Sequence, residues 1–123
     1  RPVVVSHTGV QATCPGPRNL DDEQIRAIAT NGGVIGIGYF EGAVCGTTTG
    51  HIARAMTHVK QLVGVQHVAL GSDFDGAVAT SFDTTGLAAI VDALLDAGWS
   101  EAEVRGAMGE NALRVLGQTL PVR

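Results

Sequence analysis

Aromatic and basic side chains are scarce in this chain of 123 residues: one Trp, one Tyr and three Phe make up 4% of it, and eight Lys and Arg stand against twelve Asp and Glu, giving a net charge of −4. A surface that binds nucleic acid needs a basic stripe, usually with aromatics for stacking, and the scattered cations here supply neither. Long apolar runs are missing as well. The stretches GGVIGIGYF and HVALGSDF fall far short of the roughly 18 to 20 residues of a membrane-spanning helix. Cysteine is nearly absent. Cys14 and Cys45 are too few and too far apart in sequence for a disulfide framework or a CxxC metal knuckle, so a reduced, cytoplasmic compartment is the default expectation.

What is present suits one globular domain with a core: 45% of the residues are hydrophobic. The opening RPVVVSH is a β-branched run with no initiator Met, tail or cap, the pattern of a chain entered in the middle of a fold. Any targeting segment would then lie upstream, which leaves the compartment open.

The periodicity alternates. PVVVSH reads as a strand, and LDDEQIRAIATNGG as a helix with acids in its first turn and Asn31-Gly32 as its stop. GVIGIGYF reads as a second buried strand, its glycines allowing close approach of neighbouring backbone or a ligand. TTTGHIARAMTHVKQLVG is a helix with Ile52, Ala55, Met56, Val59 and Val63 on one face and Gly64 as its C-terminal cap. HVALGSDFDG reads as a third strand. GLAAIVDALLDAG and SEAEVRGAMGENALRVLG are two further helices, the second begun by a Ser100/Glu103 capping box.

Apolar strands alternating with helices indicate an α/β fold with a parallel sheet covered by helices. A small open doubly wound sheet fits this length. A (β/α)8 barrel takes about 250 residues and would make residues 1–123 its C-terminal segment, about the last three strands with their helices; the mid-strand start favours the barrel. In either architecture the functional edge lies at the C-terminal ends of the strands.

That rule ranks the polar residues. His7 ends the first strand, Tyr39, Phe40 and Glu41 end the second, and Asp73 and Asp75 end the third. A histidine and an aspartate brought from different strands to one edge suit metal-assisted hydrolysis, in which imidazole binds zinc and a carboxylate moves a proton. The same residues also admit plainer roles, His7 as a hydrogen-bonded strand-end histidine and the Asp pair as turn formers before Gly76.

The segments PVVVSHTG, PRNLDDEQIRAIATNGGVIGIGYF, HVKQLVGVQHVALGSDFDG and GENALRVL, taken together and in register, resemble the C-terminal part of the membrane dipeptidase family, the renal-dipeptidase-like zinc peptidases. The resemblance implies a (β/α)8 barrel, two zinc ions bridged by a carboxylate, and hydrolysis of dipeptides that carry a free terminal carboxylate. By that resemblance His7 is a zinc ligand, Arg18 holds the substrate carboxylate, and Asp73 accepts and donates the proton while Asp75 shapes the turn. Arg suits the second role because its planar fork engages both carboxylate oxygens.

The family's HxD pair, its bridging glutamate and its other zinc-binding histidine have no counterpart here. His7 alone is short of the three or four ligands of a zinc site, so the isolated segment is expected to be inactive. It is also expected to associate, as a homo-oligomer or with the missing N-terminal part of the barrel, since a cut barrel has an open sheet edge. Two other readings remain: a noncatalytic α/β binding or assembly module, and another metal-dependent amidohydrolase. His51, His58 and His67 are read as solvated or packing residues, Met56, Met108 and Trp99 as packing residues. GVIGIG lies inside a strand and so is not a dinucleotide fingerprint.

Overall fold

The computed structural model describes residues 1–121. Three parallel strands, β1 (Val4–Thr8), β2 (Val34–Ile37) and β3 (Val68–Leu70), lie side by side in chain order. Helix α1 (Asp22–Thr30) joins β1 to β2, and α2 (Glu41–Val44) and α3 (Thr49–Val63) join β2 to β3. After β3 come α4 (Leu87–Asp96), α5 (Glu101–Arg105) and α6 (Asn111–Thr119). The alternation expected from the sequence is therefore present, with helices serving as the crossovers that parallel pairing requires.

Local chemistry explains how three of the helices start or stop. The Asp21 carboxylate accepts from the Gln24 N–H (2.8 Å) and the Gln24 side chain accepts from the Asp21 N–H (3.0 Å), a closed capping box at the head of α1. Ser100 and Glu103 make the same arrangement at α5, as their spacing predicts. Gly64, at φ 100°, ends α3 in a conformation that a side chain would strain. Ile52, Ala55, Met56 and Val59 of α3 are fully buried, and Trp99 packs beside them with its indole N–H donating to Thr57 Oγ1 at 2.9 Å. The packing reading of Met56 and Trp99 holds.

Several boundaries differ from the sequence reading. The second and third strands are shorter than their apolar runs because the chain leaves the ladder near their C-terminal ends. After Ile37 it makes only single bonds, Gly38 N–H to the Thr8 carbonyl and Tyr39 N–H to that of Ser72, before turning into α2, a helix the sequence did not suggest. The last helical stretch is also interrupted. Residues 106–110 form one wide π-type turn between α5 and α6, and two glycines, weak helix formers, fall within it. Past the turn Asn111 donates to the carbonyls of Val65 and Val68 (both 2.8 Å), and Arg114 to those of Gly32 and Gln66 (both 3.0 Å). Asn111 and Arg114 of the GENALRVL segment thus dock α6 beneath the N-terminal ends of β2 and β3.

Burial is uneven across the sheet. Every residue of β2 is buried, whereas Val3 and Val4 are 45% and 57% exposed on the outer side of β1. The two cysteines overturn an expectation. Cys14 and Cys45, 31 residues apart, are joined in a disulfide with their Cα atoms 5.3 Å apart. Distance along the chain was the wrong measure, because the loops after β1 and β2 run side by side and bring the residues within bridging range. The argument for a reduced compartment falls with it.

Candidate active site

The C-terminal edge of the sheet opens into a cleft of about 470 Å3 lined by Ser6, His7, Leu70, Gly71, Ser72, Asp73 and Asp75. His7 enters it through an irregularity in β1. Val5 pairs with Ile35, but the next pairing is Thr8 with Ile37, so three steps along β1 match two along β2 and Ser6 and His7 occupy the bulge. A bulge breaks strict alternation and re-aims a side chain. Ser6 Oγ lies 2.8 Å from His7 Nδ1, which occupies that ring nitrogen and leaves Nε2 for the cleft.

Asp73 arrives from the other side. Its Oδ1 is 3.9 Å from His7 Nε2, with the Asp side chain 17% and the His side chain 43% exposed. Its backbone is left-handed, φ 61°, a region that Asp tolerates better than most residues. Gly76 closes the turn by donating its N–H to the Asp73 carbonyl at 3.0 Å. A Cβ on Gly76 would stand 2.5 Å from Asp73 Oδ1, so the glycine keeps the carboxylate's place clear. Asp75 sits inside this turn and also lines the cleft.

Phe74, between the two acids, anchors the turn from below. Its ring packs on those of Tyr39 (5.5 Å between centroids) and Phe82 (6.2 Å), both edge-on. Tyr39 is fully buried and its hydroxyl has no partner among the described residues; burial pushes the phenol well above its ordinary pKa and keeps it protonated.

Arg18 reaches the same edge from the loop after β1. Its Nη2 donates to the His7 carbonyl at 3.3 Å and its guanidinium stacks over the Phe40 ring, 4.8 Å from the centroid. The head is otherwise exposed, with donors to spare. Glu41, another strand-end acid, lies apart as the first residue of α2, on a smaller pocket with Phe40, Val78 and Ala79. The remaining histidines are engaged elsewhere: His51 with Thr48 Oγ1 (2.6 Å), His58 with Asp22 (2.7 Å), and buried His67 with the Gly33 carbonyl (2.8 Å). A groove of about 520 Å3 beside α3 and α4 exceeds the cleft in size, but the convergence of imidazole, carboxylate and guanidinium favours the strand ends.

Among the described residues no group of three His, Cys, Asp or Glu side chains is placed to hold a metal ion. The donor set in the cleft, one imidazole whose Nε2 is turned away from the Ser6 contact, fits a share of a metal site, whose other ligands would have to come from elsewhere.

The family model for membrane dipeptidase, peptidase family M19, matches residues 1–123. The chain belongs to that family. It is 35% identical over 124 residues to an uncharacterized protein of the pqqA 5' region of Klebsiella pneumoniae, covering 94% of this chain and 46% of that protein. Identity to Dipeptidase aclJ of Aspergillus oryzae is also 35% over 124 residues, covering 94% of this chain and 29% of the relative. Among solved structures, a metallo peptidase of Rhodobacter sphaeroides liganded with a phosphinate mimic of the dipeptide L-Ala-D-Ala superposes with a TM-score of 0.88 at 30% identity, over 97% of this chain and 36% of that one. This member of the M19 family thus spans under half the length of these relatives. M19 proteins are metallopeptidases, so the family implies a metal.

Proposed function

We propose that the protein to which this chain belongs is a zinc-dependent dipeptidase, hydrolysing dipeptides with a free C-terminal carboxylate, and that residues 1–123 supply one side of its active site. The observation that carries the reading is the meeting of His7 and Asp73 at 3.9 Å on the C-terminal edge of a parallel sheet, with Arg18 tied to the His7 carbonyl beside them. His7 would hold zinc through Nε2. When bound, zinc supplies Lewis-acid activation of water and of the peptide carbonyl. Asp73 takes the proton from the attacking water and returns it to the leaving amine. Arg18, with its exposed planar fork, grips the substrate carboxylate and sets the peptide's register in the cleft.

The three strands are read as the last three of a (β/α)8 barrel, as one domain. The open outer side of β1, where Val3 and Val4 stand exposed, is where the rest of the barrel would pair; association with a second copy is the other way to cover it.

Asp73→Asn in the full-length protein tests the chemistry. It removes the proton shuttle but keeps the shape, so kcat is expected to fall by about 10² to 10⁴ with metal content and Tm unchanged. Near-normal kcat in a fully metallated variant would end the assignment and reduce Asp73 to a turn residue.

A further inference from the structure

Arg18 carries its charge on a long exposed side chain, and its own contacts, one 3.3 Å hydrogen bond and a ring face, do not fix it. Its neighbour Asn19 is 2% exposed. Asn19 Oδ1 accepts from the Gly9 N–H at 3.1 Å, and Nδ2 donates to the carbonyls of Cys14 (2.8 Å), Gly42 (3.0 Å) and Ala43 (3.3 Å). Its two amide hydrogens therefore serve three carbonyls, the last two from neighbouring residues of α2, the short helix after β2. One short side chain fastens the Arg18 loop both to its own beginning and to α2 at the adjoining strand end.

The surroundings reinforce that junction. A Cβ on Gly9 would fall 1.7 Å from the Ala43 carbonyl oxygen, so the two backbones meet with no side chain between them. Gln11 Nε2 donates to the Asn19 carbonyl at 3.1 Å, and across the base of the loop Gln11 N–H donates to the Leu20 carbonyl (2.8 Å) and Leu20 N–H to the Gly9 carbonyl (3.0 Å). Phe40, the ring beneath the Arg18 guanidinium, is the residue whose carbonyl receives the Ala43 N–H at 3.0 Å. The element Asn19 holds is thus the one that carries the aromatic platform.

We propose that Asn19 is a positioning residue for Arg18: by locking the Arg18 loop to the Phe40–Ala43 segment, it fixes where the guanidinium meets the substrate carboxylate. This rests on the role given to Arg18 above. Without Asn19 the fold keeps its ladder and its cleft, but the fork loses its reference point and the preference for a free carboxylate declines.

The test uses the metal-loaded full-length protein and two substrates, a dipeptide and its C-terminal amide, with kcat/KM measured for each. For the native protein the ratio is expected to favour the free acid, and Arg18→Ala to abolish that preference; if the native protein shows none, the reading of Arg18 itself fails. Given that preference, Asn19→Ala is expected to reduce the ratio by about 10- to 100-fold, chiefly through KM for the free acid, with metal content unchanged. In the Arg18→Ala background Asn19→Ala should change the ratio no further, since both act through one contact. Should Asn19→Ala not fold, Asn19→Ser, which retains a hydroxyl for one of the four partners, reads the same ratio. An equal loss on acid and amide, or failure of both variants to fold, would overturn the proposal and make Asn19 a fold determinant only.

Discussion

The two ends of the sheet use polar residues in opposite ways. At the N-terminal end Asn111 and Arg114 spend four bonds of 2.8–3.0 Å on the carbonyls of Gly32, Val65, Gln66 and Val68. At the C-terminal end His7, Arg18 and Asp73 keep donors or acceptors in hand, and His7 and Asp73 approach only to 3.9 Å. Side chains committed to backbone carbonyls hold a fold together, because satisfying a buried carbonyl avoids its desolvation cost. Groups left unsaturated in a cleft are free to engage a ligand. The same strands thus separate scaffold from chemistry by about their own length.

That contrast can be broken by substitutions at each end. The largest effect is expected from Gly76→Ala, whose added methyl would stand 2.5 Å from Asp73 Oδ1; displacing the carboxylate by about an ångström should lower kcat by roughly 10²-fold with little change in Tm. Kinetics alongside a thermal melt check it, and unimpaired turnover would show that the Asp73 carboxylate does not need its present place. Asn111→Ala should do the reverse. Removing both Asn111 side-chain bonds is expected to cost about 1–3 kcal/mol of stability, read as a lower denaturant midpoint, while turnover per folded molecule is preserved. A kinetic defect without loss of stability would erase the distinction between the two ends.

The smallest effect is expected away from both ends, at the Lys60–Glu103 pair (2.6 Å) that ties α3 to the start of α5. The Lys60 ammonium, together with the Ser100 N–H, holds the Glu103 carboxyl below its ordinary value of 4.5. Because the folded-state value is the lower one, the pair's contribution is fully present above 4.5 and is lost as pH falls through the folded value. Solvent screens so accessible a pair, so Glu103→Gln should shift Tm only slightly at neutral pH and not at all in acid. Melts of both proteins across that range measure it.

The order of strands and helices was legible because hydrophobic period and caps are local: Ser100 and Glu103, or Ile52 through Val59, declare themselves within a few residues. The placing of the site was legible only as far as the strand-end rule reaches. It put His7 and Asp73 on one edge but not in contact, since the bulge that turns His7 exists only in the pairing of β1 with β2, and the left-handed backbone of Asp73 comes from a turn closed by Gly76. Asn19 stood in plain view within PGPRN, a stretch whose prolines and glycine advertise a loop and conceal a buried hub. Four partners drawn from both sides of that loop leave no trace in a spacing pattern. The cysteine pair was misjudged for the same reason, since its bond is a fact about neighbouring loops.

That bond also changes the topology of the chain. Joining Cys14 to Cys45 closes a ring that contains Arg18, Asn19, α1 and all of β2, and a closure of that size restricts the unfolded chain by about 3–4 kcal/mol on the chain-entropy account. The residues that would bind the substrate carboxylate and the strand at the centre of the sheet therefore belong to one covalent loop. A protease that nicked the backbone between the two sulfurs would leave both products attached to each other, and only a reductant would let them part.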